Sequence, residues 1–136
     1  MLRKLSCLFV LALAGACLTR AADPDVERGK YLVTEVARCG DCHTPSLDNG
    51  QPDESQTLKG TMLNFKSTVP VPHWKAMSPD ITSTGSVFKE RGAAAIEKFL
   101  QTALWPDGDH ADPPMPPYKL KAEDARAIVA YLKTLK

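Results

Sequence analysis

Aromatic residues make up only 7% of the 136-residue chain, too small a share for the core of a large sandwich or barrel. Neither sign of charge dominates. The 17 Lys and Arg stand against 16 Asp and Glu, a formal charge of +1. That excludes nucleic-acid binding driven by phosphate contacts. The chain lacks an internal repeat and is too short for two ordinary domains. It also lacks a run of about 20 apolar residues with the flanks of a transmembrane helix.

Residues 1–22 read as an export signal. Arg3 and Lys4 form a positive start, and Leu5 to Leu18 is apolar apart from Ser6. Cleavage after Ala21-Ala22 is the leading reading. The alternative places a lipid on Cys17, after Ala14-Gly15-Ala16, as in a bacterial lipoprotein. Either route implies a periplasmic or otherwise exported protein. Cleavage after Ala22 leaves residues 23–136 as the domain, with a net charge of −2 and only Cys39 and Cys42.

Those two cysteines stand in Cys39-Gly40-Asp41-Cys42-His43. Cys-x-x-Cys-His is the attachment sequence of c-type haem. One helical turn brings both sulfurs to one face, where each adds to a haem vinyl group as a thioether. His43, next in line, then meets the iron from the proximal side. Other readings are a Cys39–Cys42 disulfide, a thioredoxin-like pair, and a Cys₂His₂ zinc site of Cys39, Cys42, His73 and His110. No βαβ pattern supports the second, and the histidine spacing is foreign to a zinc finger. One motif predicts one haem c, covalently bound.

A haem electron carrier needs a sixth iron ligand. Met62, Met77, Met115, His73 and His110 are the candidates. Met115 stands out in Asp112-Pro113-Pro114-Met115-Pro116-Pro117-Tyr118, because five of the eleven prolines fall between 106 and 117. Each proline fixes φ near −65° and removes a donor, which makes a stiff strap suited to holding a weak thioether ligand. Met77 is the reserve. Met62 is expected to pack against haem or core, and His73 and His110 to sit in exposed loops.

The fold class expected is all-α, with three or more helices and long loops wrapped around the haem. The first helix runs over about 23–38, with Val26, Gly29, Val33 and Val36 on its inner face. A middle helix covers 91–104, turning Ile96, Phe99, Leu100 and Leu104 inward. The last covers 122–136, with Ile128, Tyr131, Leu132 and Leu135 as its stripe. Residues 45–79 are rich in turn signals and read as loop, tolerable in a compact domain only because the macrocycle supplies apolar core.

These residues together resemble the class I c-type cytochromes over 23–136. They are most similar to the single-haem subunits or modules of bacterial membrane-associated dehydrogenases. Such proteins carry Ser-Pro-Asn-Ile-Thr, a Met-Pro-Tyr strap and a final Ala-Tyr-Leu helix. The counterparts are residues 78–82, Met115-Pro116-Pro117-Tyr118 and Ala130-Tyr131-Leu132. Asp80 replaces the Asn, the Gly-rich segment before the middle helix is shortened to 84–88, and Lys121 stands where a Thr or Ser cap is usual. The resemblance implies Gly29 crossing against Tyr131.

The function expected is outer-sphere electron transfer between Fe(III) and Fe(II), without enzymatic turnover. His43 and Met115 would fill both axial positions. His43 is expected to donate its other ring N–H to a following loop, with Pro52 as the acceptor. Trp74, Tyr118 and Asn64 are candidate donors to the haem propionates. Asp80 is expected to point away from them or to pair with Lys75 or Lys119. The partners expected are redox proteins, a donor dehydrogenase and an acceptor. Lys59, Lys66, Lys75, Lys119 and Lys121 form a candidate ring steering an acidic partner. Membrane association is expected only through Cys17 or a partner complex. The rival reading is a haem enzyme or gas sensor with open iron, which would need His73 or His110 as a distal residue.

Overall fold

The structure is a computed structural model that describes residues 23–136. The expected export segment, residues 1–22 with Cys17, lies outside the described residues. In order, they form α1 (Pro24–Tyr31), a π-helical turn (Leu32–Val36), α2 (Gly40–His43), a short 3₁₀ turn (Glu54–Gln56), β1 (Thr61–Met62), β2 (Met77–Ser78), α3 (Ser86–Arg91), α4 (Ala93–Thr102) and α5 (Ala122–Leu132). The fold is mostly helical, in keeping with the all-α expectation. Its strands form one two-residue antiparallel ladder, pairing Thr61 with Ser78 and Met62 with Met77. Among the described residues, no helix is long and apolar enough to cross a membrane.

Helix α1 begins where its sequence says. The Asp23 carboxylate accepts from the Asp25 N–H at 3.0 Å, and Pro24 occupies the first turn. Its end differs from expectation. The π-helical turn adds residues to one revolution, so the inward phase slips. Leu32 and Val33 stay buried, whereas Val36 turns out and is 56% exposed.

The middle helix is two helices. Gly92 takes φ 77° and ψ 160°, a conformation open to glycine, and breaks the chain between α3 and α4. Ala103 then ends α4 in the left-handed region at φ 62°. Ala103 is buried and Leu104 is exposed, the reverse of the helical extrapolation. Helix α5 stops at Leu132. Leu135 lies beyond it, where its carbonyl accepts from the Ser83 N–H at 3.1 Å and from the Ser83 hydroxyl.

Helices α1 and α5 cross in backbone contact. A Cβ placed on Gly29 would lie 1.9 Å from the Ala127 carbonyl oxygen and 2.8 Å from the Tyr131 Cβ. Gly29 thus faces α5 over Ala127 as well as Tyr131, and the main-chain contact is the tighter one. Exposed pairs flank the crossing, Arg28–Asp124 at 2.5 Å and Arg126–Asp25 at 3.2 Å. Such surface pairs contribute at most about 1 kcal/mol each, so the close packing decides the crossing. Below it, Leu32, Val33, Phe99, Leu100, Ile128 and Leu132 form one core.

Replacing Gly29 by Ala would gain about 1 kcal/mol of helix propensity. It should lose about 3 kcal/mol to overpacking against backbone that cannot move aside. A net destabilisation of roughly 2 kcal/mol is expected in denaturant unfolding. A midpoint equal to that of the native chain would contradict the crossing described.

Candidate functional site

A cavity of about 730 Å³ opens between α2, the proline strap and the inner faces of α3, α4 and α5. Its size is that of ordinary cofactor pockets, roughly 300–1,000 Å³. The wall is mainly apolar, with Val87, Phe88, Ile96, Phe99, Ile128 and Leu132 among its residues. Trp105 is also part of the wall, stacked on Phe99 with centroids 4.2 Å apart and planes at 15°. The Arg91 guanidinium lies 4.9 Å from the Trp105 ring centroid and pairs with Asp107 at 2.5 Å. Sequence reasoning missed Trp105, because nothing local to it signals a stacking partner.

Cys39, Cys42, His43 and Met115 all line this cavity. Both cysteines are free thiols. Burial pushes the Cys39 thiol up to about 11, with smaller contributions from Cys42 and Asp41, and Cys42 is also raised by burial. Protonated thiols of this kind are unlike the depressed, nucleophilic thiolates of dithiol redox motifs. Among the described residues, no group of three or more His, Cys, Asp or Glu side chains is placed to hold a metal. His73 and His110 are exposed and do not line the cavity. The zinc arrangement is therefore not assembled.

His43 is buried. Its Nδ1 lies 2.8 Å from the Pro79 carbonyl oxygen, which can only accept, so Nδ1 carries the proton and donates. Nε2 then keeps its lone pair. Burial lowers the His43 pKa below 6.5, against a smaller opposite effect of that hydrogen bond. The imidazole is neutral at neutral pH, the form a metal ligand needs. The expected Pro52 acceptor is corrected to Pro79. Pro52 instead bridges Ser46 within the exposed 45–53 turn, where the chain doubles back on itself.

Around His43 the loop is pinned by its own backbone. The Thr44 hydroxyl accepts from the Leu58 N–H at 3.0 Å, and the Gly60 N–H donates to the His43 carbonyl at 2.7 Å. Leu58, 1% exposed, is held at φ 61°, a costly conformation for a bulky residue that turns the chain back toward His43. Gly60 follows at φ 81°, and a Cβ there would meet the Ser78 and Pro79 backbone within 2.7 Å.

The strap is anchored at several points. The Lys75 N–H donates to the Pro113 carbonyl at 2.8 Å, the Lys75 ammonium pairs with Asp112 at 3.4 Å, and the Tyr118 hydroxyl donates to the Ala37 carbonyl at 3.0 Å. Lys75 therefore pairs with Asp112 and not with Asp80. Asp80 accepts from the Thr82 N–H at 2.7 Å and crowds Gly85, whose Cβ would lie 2.3 Å from the carboxylate. Of the three candidate propionate donors, only Tyr118 lines the cavity, and its hydroxyl proton is taken by Ala37. Asn64 lines a separate cavity of about 150 Å³. Trp74 is off the main wall, but its Nε1–H is buried without a protein partner. An orphaned donor of this kind costs about 1–3 kcal/mol unless something accepts from it.

The donor set suits a covalent haem: two protonated thiols, a neutral oriented imidazole, a thioether on a proline strap, apolar walls and one unpartnered indole donor. Tyr118→Phe should cost about 1 kcal/mol, the worth of one hydrogen bond, read from denaturant unfolding. Unfolding indistinguishable from the native chain would show that the Ala37 contact does not tether the strap.

Comparison with known proteins agrees with this geometry. The family model described as "Cytochrome c" matches residues 26–136. A "Diheme cytochrome c-type" protein of Cereibacter sphaeroides is 36% identical over 115 residues, 81% of this chain and 35% of the relative. A "Fructose dehydrogenase cytochrome subunit" of Gluconobacter japonicus is 39% identical over 59 residues, 43% of this chain and 10% of the relative. The chain thus spans about a third and a tenth of the lengths of these relatives. The match implies covalently bound haem c and electron transfer, and the chain belongs to the cytochrome c family, as a class I c-type cytochrome similar to dehydrogenase cytochrome subunits.

Proposed function

We propose that the protein is an exported single-haem cytochrome, a carrier or a relay subunit in a respiratory or dehydrogenase chain, with His43 and Met115 as axial ligands. The observation that carries this reading is the convergence of Cys39, Cys42, His43 and Met115 on one apolar cavity. Haem c, when bound, supplies a one-electron iron couple. Cys39 and Cys42 hold it as thioethers. His43 presents Nε2, oriented through its Nδ1–H and the Pro79 carbonyl. Met115 offers a thioether from a strap that Lys75, Asp112 and Tyr118 restrain. Trp74 Nε1 is the propionate donor best supported, since it is buried and unpartnered. With His43 and Met115 both bound to the iron, no coordination site would be left for substrate, and outer-sphere transfer would follow in place of open-iron chemistry.

Residues 55–79 contain Lys59, Lys66 and Lys75 and no acid. The same segment exposes Met62, Phe65, Val69 and Met77, and Met77 also lines the cavity. This cationic, apolar face supports a redox partner with an acidic surface. The likeness to a fructose dehydrogenase cytochrome subunit supports a dehydrogenase as the donor.

Met115→Ala should lower the reduction potential, on the order of 0.1 V within the ≈0.8 V span set by axial ligands, and let carbon monoxide bind the reduced protein. An unchanged potential would remove Met115 as ligand. Carbon monoxide binding to the native reduced protein would support the open-iron reading. Exchanging Lys59 and Lys66 for Glu should slow reduction of hexacyanoferrate(III) at low salt about tenfold or more and flatten its salt dependence. Rates that stay equal would place electron exit elsewhere.

A further inference from the structure

Two consecutive residues of the attachment motif are gripped by two consecutive residues of the opposing segment. His43 Nδ1–H donates to the Pro79 carbonyl at 2.8 Å. In the other direction, the Ser78 hydroxyl donates to the Cys42 carbonyl at 2.5 Å. The same hydroxyl oxygen accepts from the Thr61 N–H at 3.0 Å. Ser78 is buried, 8% exposed, and lines the cavity. One side chain thus bonds to both α2 and β1, in the place where the β1–β2 ladder is only two residues long.

The need for it is physical. Helix α2 has four residues, so none of its last carbonyls has a full set of helical partners. The Gly60 N–H satisfies the His43 carbonyl, and Ser78 satisfies that of Cys42. Nothing else among the described hydrogen bonds ties Ser78-Pro79 to α2 except the His43 contact itself. The Ser78–Cys42 bond is thus the direct tie beside the His43–Pro79 contact, while the β1–β2 ladder and the Gly60–His43 bond hold the two segments together indirectly. Pro79 has no N–H of its own with which to hold register.

We propose that Ser78 is a positioning residue for electron transfer: its hydroxyl fixes the Pro79 carbonyl on His43 Nδ1–H and so sets the donor strength of His43 and the reduction potential. The inference rests on the proposed His43 ligation. A firm Nδ1–H···O bond raises the basicity of a ligating imidazole. A more basic imidazole favours the oxidised metal. Without the Ser78 hydroxyl the contact loosens and the reduced state gains.

The test uses the haem-loaded protein. Ser78→Ala should shift the redox equilibrium several-fold toward the reduced form, a tenfold shift being about 59 mV for one electron. Exchange of the His43 Nδ1 proton in the reduced protein, followed by NMR, should quicken severalfold. Ser78→Thr keeps the hydroxyl and should restore both. Asp124→Asn removes the remote Arg28 pair and should move neither, even where stability falls. A Ser78→Ala protein with native potential and native His43 proton exchange overturns the inference, whatever its stability. Should Ser78→Ala fail to mature, the native protein decides. The Ser78 hydroxyl proton and the His43 Nδ1 proton should then be lost together on heating, and a His43 proton that outlasts the hydroxyl proton overturns the inference. If the native protein shows His43 off the iron, the proposed ligation fails and this inference with it. If His43 is on the iron and Ser78→Ala changes nothing, only this inference fails.

Discussion

The cavity is the constraint on which the rest of the structure depends. Its volume is about 730 Å³, and its wall is made of the side chains that would otherwise form a closed core. Apolar side chains of α3, α4 and α5 face that space and not only one another. The helices therefore cannot be understood as a bundle packing on itself. They form the walls of a cofactor site, and a covalently bound haem is what a cytochrome c places against them.

This explains how the polar work is distributed. Long loops with little secondary structure would ordinarily leave backbone groups unsatisfied. Here they are satisfied by reaching across to neighbouring segments: Leu58 to Thr44, Gly60 to His43, Lys75 to Pro113, Ile81 to Leu58. The same bonds that order the loops hold the cavity wall. Stability and ligand placement are consequently one problem, and two strained or glycine-bound positions, Leu58 and Gly60, sit beside the histidine and not at a remote turn.

The two sides of the cavity are held by different means. On the histidine side, a reciprocal pair of part-buried hydrogen bonds joins residues 42–43 to 78–79. On the methionine side, a proline strap is tethered by an exposed ion pair, one backbone bond and the Tyr118 hydroxyl. The first arrangement resists rotation of a ring. The second limits the travel of the Met115 thioether without fixing it tightly.

Much of this was legible in the sequence, because the information is local. The attachment motif needs only one helical turn, the proline strap is written in its composition, and the family resemblance implies Gly29 against Tyr131. What misled was extrapolation across breaks. Val36 and Leu104 continue good helical stripes, yet a π-helical turn and a left-handed Ala103 take them off phase, whereas Leu135 packs on the core from beyond an early helix end. The acceptor for His43 was equally out of reach. Pro52 and Pro79 are both prolines in turn-rich stretches, and only the β1–β2 ladder brings the second one against the ring. Sequence by itself determined which chemistry the chain carries, since the haem attachment motif is complete within residues 39–43. Tertiary structure alone decided which groups orient His43, because a hydrogen bond between residues 36 positions apart depends on how the whole loop folds back.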